Sequence, residues 1–176
     1  MDRDDDYSSD SVAWVADSGF LIACGRQQNP KYSALERFAR QHEISFVIPE
    51  RVYEELGGAP DRSTPGQTPI NSALEAGWMR VADPLDYTDT NVSAVMDRVR
   101  GYIARASNRS EDQIEKADTA LAGVSVQLLT RTDVDFLYLV TTDTDAGRGV
   151  VAALDAHGFE GQVEYRKGFE FIDEIA

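Results

Sequence analysis

The feature that most constrains this fold is a series of short, continuous apolar runs that alternate with segments of helical periodicity. The runs VAWVAD, ISFVIP, WMRVAD and DFLYLVTTD lack the alternation of a half-exposed strand, so each predicts a strand buried on both faces. Between the last two runs, Val92, Val95, Met96 and Val99 recur at helical spacing. This order predicts an α/β fold of three layers, with helices on both faces of a mainly parallel sheet.

The 176 residues suit a single domain with one sizeable core. The first 11 residues are polar, acidic and aperiodic, which predicts a flexible tail ahead of a domain over 12–176. The segment GGAPDRSTPGQTP predicts an exposed loop. Later, SEDQIEKADTALAGVSVQLL predicts one helix that a capping box of Ser110 and Gln113 opens, and the C-terminal GFEFIDEIA predicts a turn.

Cysteine content and hydropathy together predict a cytoplasmic protein. Cys24 is the only cysteine, so the chain forms neither an internal disulfide nor a cysteine-based zinc ribbon, which suits a reducing compartment. The apolar run over 12–24 is too short to span a bilayer, contains Asp17 and follows an acidic leader. We therefore expect no membrane association.

Charge composition suggests a halophilic protein. The formal net charge is -14, and the basic residues are nearly all arginines. Such a surface keeps a protein soluble in molar salt, where screening is strong. At low salt the same surface repels phosphates, so a nucleic-acid substrate would require a local device such as metal ions.

Several carboxylates lie where parallel strands end. Asp17 ends the first apolar run, Asp143 follows FLYLVTT, and Glu54 and Glu55 lie on the helix after FVIP. Asp118 lies in the first turns of a helix made otherwise of apolar residues. Because sites in open parallel sheets gather at the carboxyl ends of the strands, these side chains are expected to converge.

A convergent set of oxygen ligands without histidine or cysteine suits Mg²⁺ or Mn²⁺. Carboxylates at contact raise one another's pKa unless a cation offsets their repulsion. A metal bound in this way supports hydrolysis of a phosphodiester by water. The competing interpretation is structural, because aspartates at strand ends are also favoured caps of the helices that follow.

These residues give the chain a resemblance to the PIN-domain family. The matching segments are VADSGFLI, IPERVYEEL, EKADTALAG and LVTTDTDAG, which together cover roughly residues 12–165 in the family's order. The resemblance implies the fold of the 5′ nucleases and the activity of a Mg²⁺- or Mn²⁺-dependent endoribonuclease that leaves a 5′-phosphate. Relatives of this kind include VapC-type toxins and ribosomal-RNA maturation enzymes, and a stand-alone archaeal PIN protein is the expected type.

The resemblance also implies roles for individual residues. The acidic quartet would be Asp17, Glu55, Asp118 and Asp143, with Glu54 left as an alternative to Glu55. Asp145 would add a water-mediated metal ligand. Ser18 and Thr142 would hydrogen-bond the carboxylates or a substrate phosphate. Apart from the resemblance, Arg148 lies near the same edge and is a candidate contact for a substrate phosphate, with pairing to surface acids as the alternative.

Other interpretations stay open at this point. A PIN-like domain that has lost catalysis would serve as a scaffold that binds RNA or protein. An antitoxin and a second copy of the chain are possible partners. The segment DTDAG also resembles the nucleophile motif of haloacid-dehalogenase-type phosphatases, although there the motif normally opens the chain.

Overall fold

The computed structural model describes residues 10–25, 29–56 and 70–176. The predicted tail lies outside them except for residues 10 and 11, and the predicted loop over 57–69 lies outside them entirely. The strands are β1 (Val12–Ala16), β2 (Phe46–Ile48), β3 (Met79–Val81), β4 (Phe136–Thr141) and β5 (Val163–Lys167). The helices are α1 (Ser18–Cys24), α2 (Pro30–Gln41), α3 (Glu50–Glu55), α4 (Asn71–Ala76), α5 (Thr90–Ser107), α6 (Lys116–Arg131), α7 (Thr144–Ala156) and α8 (Gly168–Ile175).

All five strands are parallel and form one sheet in the order β3-β2-β1-β4-β5. From β1 the chain builds the sheet outward through β2 and β3, and it then crosses back to add β4 on the other side of β1. The strand order therefore reverses between β1 and β4. In sheets of this type the crevice beyond the carboxyl ends of two such strands is the usual ligand site.

Each face of the sheet is covered by its own apolar core, which confirms the three-layer α/β prediction. On one face, Ala13 and Val15 of β1 pack with β4 residues and with α5, α6 and α7. On the other face, Trp14 and Ala16 pack with α1, α2, α3, α4 and α8. Because successive side chains of a strand alternate between faces, each odd-numbered residue of β1 faces α6.

Two predicted elements differ from the structure. The segment from Ser110 is not one helix: a short 3-10 helix over Glu111–Gln113 carries the predicted capping box, and α6 begins only at Lys116. Ile114 between them adopts extended backbone (φ -76°, ψ 131°) and buries its side chain. Anchoring this apolar residue in the core interrupts the helix.

The C-terminal segment is a helix, α8, and not the predicted turn. Phe171 and Ile172 lie on one side of it and are almost completely buried. The Phe171 ring lies 5.4 Å from the ring of Trp14, centroid to centroid. Packing against the core therefore stabilises a segment too short to be helical by propensity alone. No helix in the described ranges is both long enough and apolar enough to cross a membrane.

Candidate active site

Asp17 lies at the carboxyl end of β1, beside the point where the strand order reverses. Its backbone N–H donates to the carbonyl of Val140 on β4 (3.3 Å), which extends the ladder by one residue. Its Oδ1 accepts from the N–H of Phe20 (2.8 Å) and thereby caps the N-terminus of α1. Asp17 is only 7% exposed, so an apolar run has carried a carboxylate into the protein interior.

Thr141, the last residue of β4, links two of the predicted site residues. Its hydroxyl donates to Asp17 Oδ2. The same hydroxyl oxygen accepts from the backbone N–H of Asp143 (3.1 Å). Thr141 is fully buried. This one side chain therefore fixes the Asp17 carboxylate relative to the first turn after β4.

Asp143 and Asp118 approach Asp17 from two further segments. Asp143 is the N-cap of α7, and its Oδ1 accepts from the N–H of Ala146 (3.1 Å). Asp118 lies in the first turn of α6, a helix that packs against β1. Asp17 and Asp143 therefore cap the helices that follow them, as the structural interpretation of these residues expects. Capping does not exclude a shared site, because both residues follow neighbouring strands of the sheet.

The pKa values of the aspartates show their mutual repulsion. Burial raises the pKa of Asp17, the Thr141 and Phe20 hydrogen bonds oppose that rise, and the charge of Asp143 adds to it. The pKa of Asp118 is raised to about 7, first by burial and then by the charges of Asp143, Glu115 and Asp17. Asp143 acts on both Asp17 and Asp118, and Asp17 also acts on Asp118, so the three aspartates form one electrostatic cluster. We call Asp17, Asp118 and Asp143 the aspartate cluster.

Glu55 reaches this region through Ser18. The Ser18 hydroxyl donates to Glu55 Oε2 (3.0 Å), which joins the end of α3 to the first residue of α1. The Glu54 carboxylate lies 3.6 Å from an Arg51 guanidinium nitrogen, and a Glu55 oxygen lies 4.0 Å from another nitrogen of the same guanidinium. The structure therefore brings Glu55, and not Glu54, into contact with the residue that follows Asp17.

The remaining predicted residues lie near the same edge in different settings. Thr142 is half-buried, and its Oγ1 is so close to Gly19 that a Cβ there would approach it to 2.6 Å. Asp145 is half-buried in the first turn of α7. Arg148 lies one turn further along α7 with an exposed side chain. Contacts of these two side chains with the aspartate cluster are not seen among the residues described.

The predicted acidic ligands match a divalent metal in their chemistry but not yet in their geometry. The chemistry of these residues fits, because Mg²⁺ and Mn²⁺ bind carboxylate oxygens and would neutralise the repulsion between the buried carboxylates. Their geometry is incomplete: within the described ranges, no three His, Cys, Asp or Glu side chains stand as a group able to hold a metal ion. As they stand, the hydrogen bonds to Thr141, Phe20 and Ala146 occupy oxygens that a metal would require.

Sequence reasoning missed Thr141 and Arg109, and it interpreted Glu115, at helical spacing from Asp118, as part of a solvated acidic face. Glu115 raises the pKa of Asp118, whereas Arg109 lowers it, so both act on the cluster. Strand alternation is the signal for Thr141, because it lies two residues beyond Leu139 and so faces the same side as Asp17. No comparable signal marks Arg109, which lies in the connection between α5 and the 3-10 helix.

A parallel sheet with carboxylates from three chain segments beside its switch point defines an α/β protein with an acidic candidate site. The chain belongs to the PIN-domain family, since the family model described as "Halobacterial PIN domain" matches residues 10–176. PIN domains have a nuclease-type fold and are generally nucleases that use divalent metals. Searches of curated proteins and of solved structures gave no significant match.

Proposed function

We propose that this PIN domain is a metal-dependent endoribonuclease that hydrolyses RNA phosphodiester bonds. The observation that carries the proposal is the aspartate cluster, in which Asp17, Asp118 and Asp143 repel one another at the switch point of the sheet. A protein retains such repulsion at a cost in stability, and a functional site is a common reason. RNA is the partner that this proposal requires, whereas an antitoxin or a second copy of the chain stays a prediction.

Asp17, Asp118, Asp143 and Glu55 would hold Mg²⁺ or Mn²⁺, with Asp145 contributing through water. When bound, such a cation lowers the pKa of a water molecule and neutralises charge on a phosphate. Thr141 holds the Asp17 carboxylate, and Ser18 holds that of Glu55, so that each oxygen has a defined position before a ligand arrives.

Cations near the cluster would contact the RNA backbone. The charge of Arg109 lowers the pKa of Asp118, so its guanidinium would also attract a phosphate bound at the cluster. Arg148 is exposed on α7, and Thr142 lies beside the first turn of α1. Charge-assisted hydrogen bonds from such groups bind phosphate strongly even on a protein of net negative charge.

A second candidate function is a scaffold without catalysis. It is supported by the capping roles of Asp17 and Asp143, which account for both carboxylates without a metal. The absence of a preformed group of metal ligands in the described ranges points the same way. This candidate predicts that neutral substitutions in the cluster leave the protein's binding activities unchanged.

A cleavage assay separates the two candidates. Labelled single-stranded RNA would be incubated with the protein and Mn²⁺ in molar KCl, with EDTA as the blank. Asp143→Asn keeps the capping geometry but removes a charge, and Asp155→Asn on the exposed far end of α7 is its matched control. The nuclease predicts metal-dependent cleavage that Asp143→Asn abolishes and Asp155→Asn retains. Absence of cleavage by the wild type would favour the scaffold. Equal cleavage by all three proteins would instead exclude Asp143 from the catalytic residues.

A further inference from the structure

A groove runs beside the proposed site, between α3, the first turns of α6 and the loop that joins β3 to α5. Its lining includes Pro49, Arg51, Asp83, Leu85, Tyr87 and Lys116. Its volume of about 360 Å³ lies within the range of small-ligand sites, about 300–1,000 Å³. It shares α3 with Glu55 and α6 with Asp118. A chain bound at the aspartate cluster therefore has a neighbouring cleft for its next residue.

Tyr87 presents an aromatic ring at this groove. Tyr87 is 68% exposed, so its ring is accessible to a ligand. The Ser93 hydroxyl donates to the Tyr87 carbonyl (2.6 Å), so the backbone that carries the ring is held by the first turn of α5.

The rest of the loop is held as firmly. The side chain of Gln127 on α6 is buried, accepts from the Asp86 N–H (2.7 Å) and donates to the Pro84 carbonyl (3.3 Å). Arg131 of the same helix bridges Asp86 (2.8 Å) and Asp89 (3.2 Å). An exposed ring on an anchored loop loses little conformational entropy when a flat ligand binds it.

The charge of the groove disfavours a phosphate as its occupant. Three carboxylates line it, those of Glu50, Glu54 and Asp83, against two cations, Arg51 and Lys116. Carboxylates repel phosphate oxygens but accept hydrogen bonds from the amino groups of nucleobases. The combination of an aromatic ring, apolar walls and carboxylate acceptors complements a base, and not the backbone.

We propose that Tyr87 stacks on an unpaired base of single-stranded RNA, next to the scissile phosphate, and that this contact supplies affinity in high salt. The inference rests on the proposed nuclease function and names how its substrate is held. Molar salt weakens binding through phosphate charges, whereas stacking on an aromatic ring is less sensitive to screening. A protein of net charge -14 gains most from the second kind of contact.

The carboxylates add a preference among bases. Cytosine presents an amino donor on its pairing edge, while the same position in uracil is a carbonyl acceptor. The groove therefore favours oligocytidylate over oligouridylate. Because both are pyrimidines of similar size, the comparison reports the base edge and not the area of the stack.

The experiment measures fluorescence anisotropy of labelled oligocytidylate with the full chain, in molar KCl with EDTA so that no cleavage occurs. Tyr87→Ala is expected to weaken binding about tenfold or more, and Tyr87→Phe, which keeps the ring, by less than about twofold. Phe169→Ala is the matched control, because Phe169 is an aromatic side chain with 61% exposure that lies on α8 and not in the groove lining. Oligouridylate is expected to bind more weakly than oligocytidylate.

Wild-type binding that Tyr87→Ala leaves unchanged would overturn the inference, and so would the absence of wild-type binding. A loss shared equally by Phe169→Ala would also overturn it, since it would reflect general hydrophobic contact. Cleavage with Mn²⁺ is measured separately on the same proteins. A wild type that cleaves RNA while Tyr87 is dispensable refutes the stacking contact alone, whereas a wild type that binds but never cleaves refutes the proposed function alone.

Discussion

The Thr141 hydroxyl donates to Asp17 Oδ2 across two neighbouring parallel strands, and its oxygen accepts from the Asp143 N–H at 3.1 Å. The two strands flank the point where the strand order of the sheet reverses. Together with the Phe20 N–H, this contact explains how an apolar run can end in a buried carboxylate, because the two donors replace water at its two oxygens. It also makes Thr141 a positioning residue for the site.

Thr141→Val is expected to destabilise the metal-free protein by about 2 kcal/mol, because it leaves a buried carboxylate oxygen without its donor. The measurement is urea denaturation in molar KCl with EDTA. Thr119→Val is the matched control, since the buried Thr119 hydroxyl donates only to the Lys116 carbonyl of its own helix (3.0 Å). Equal losses in the two variants would show that the Asp17 contact has no special weight.

Stability without metal should fall as pH rises from about 4 to about 7. The pKa of Asp118 is about 7 in the folded protein against an ordinary value of 3.8, so the folded state binds a proton that the unfolded state has lost. The free-energy cost of the charged Asp118 carboxylate in the folded state is absent below this pH range and complete above it. Because Asp118 is partly exposed, we expect a loss of about 2 kcal/mol between pH 5 and pH 8.

Thermal unfolding at these two pH values, in molar KCl with EDTA, checks this expectation. Asp118→Asn removes the titrating group and should flatten the pH dependence. Asp112→Asn alters an exposed aspartate near the start of α6 and should leave the dependence as in the wild type. An unaltered slope in Asp118→Asn would contradict the electrostatic account of the cluster.

Glu55 and Glu54 can be separated by metal binding. Glu55→Gln is expected to weaken Mn²⁺ binding, since Ser18 holds its carboxylate toward the cluster, whereas Glu54→Gln should change it little. Ser18→Ala should weaken Mn²⁺ binding about tenfold, as loss of a group that orients a ligand typically does. Calorimetric titration of the three variants decides the point, and a larger effect from Glu54→Gln would reverse the assignment.

Gly147 allows α7 to approach β5. A Cβ at this position would collide with the ring of Tyr165, so Gly147→Ala is expected to destabilise the protein by about 1–3 kcal/mol. The double variant Gly147→Ala/Tyr165→Leu should recover part of that loss, because the smaller side chain makes room. Denaturation midpoints of both variants test this. A double variant that is less stable than either single change would show that the ring is not the obstacle.

The fold could be predicted from the sequence because its strands have a recognisable sequence pattern. Continuous apolar runs such as FLYLVTT are buried on both faces, and only a parallel sheet with two helical layers covers them. The C-terminal helix could not be predicted in the same way. It depends on Phe171 meeting Trp14, a contact between opposite ends of the chain that no local pattern contains.

The site was predictable in its aspartates and less so in their surroundings. Asp17 and Asp143 follow apolar runs, so the strand-end rule brings them to one edge. Thr142 stays a predicted contact for the carboxylates or a substrate phosphate. The adjacent Thr141, which sequence reasoning did not single out, donates to Asp17, because strand alternation turns its side chain toward α6. The charge of Arg109 lowers the pKa of Asp118, and no local sequence pattern predicts that these two residues interact.

We expect Asp17, Asp118 and Asp143 to form one cation site. The most direct test is calorimetric titration of the wild type and of Asp118→Asn with Mn²⁺ in molar KCl, because this nearly isosteric change removes the charge of the residue whose pKa is raised to about 7. The wild type is expected to bind Mn²⁺, and Asp118→Asn is expected not to bind it. Equal binding by both proteins, or binding by neither, would contradict this expectation.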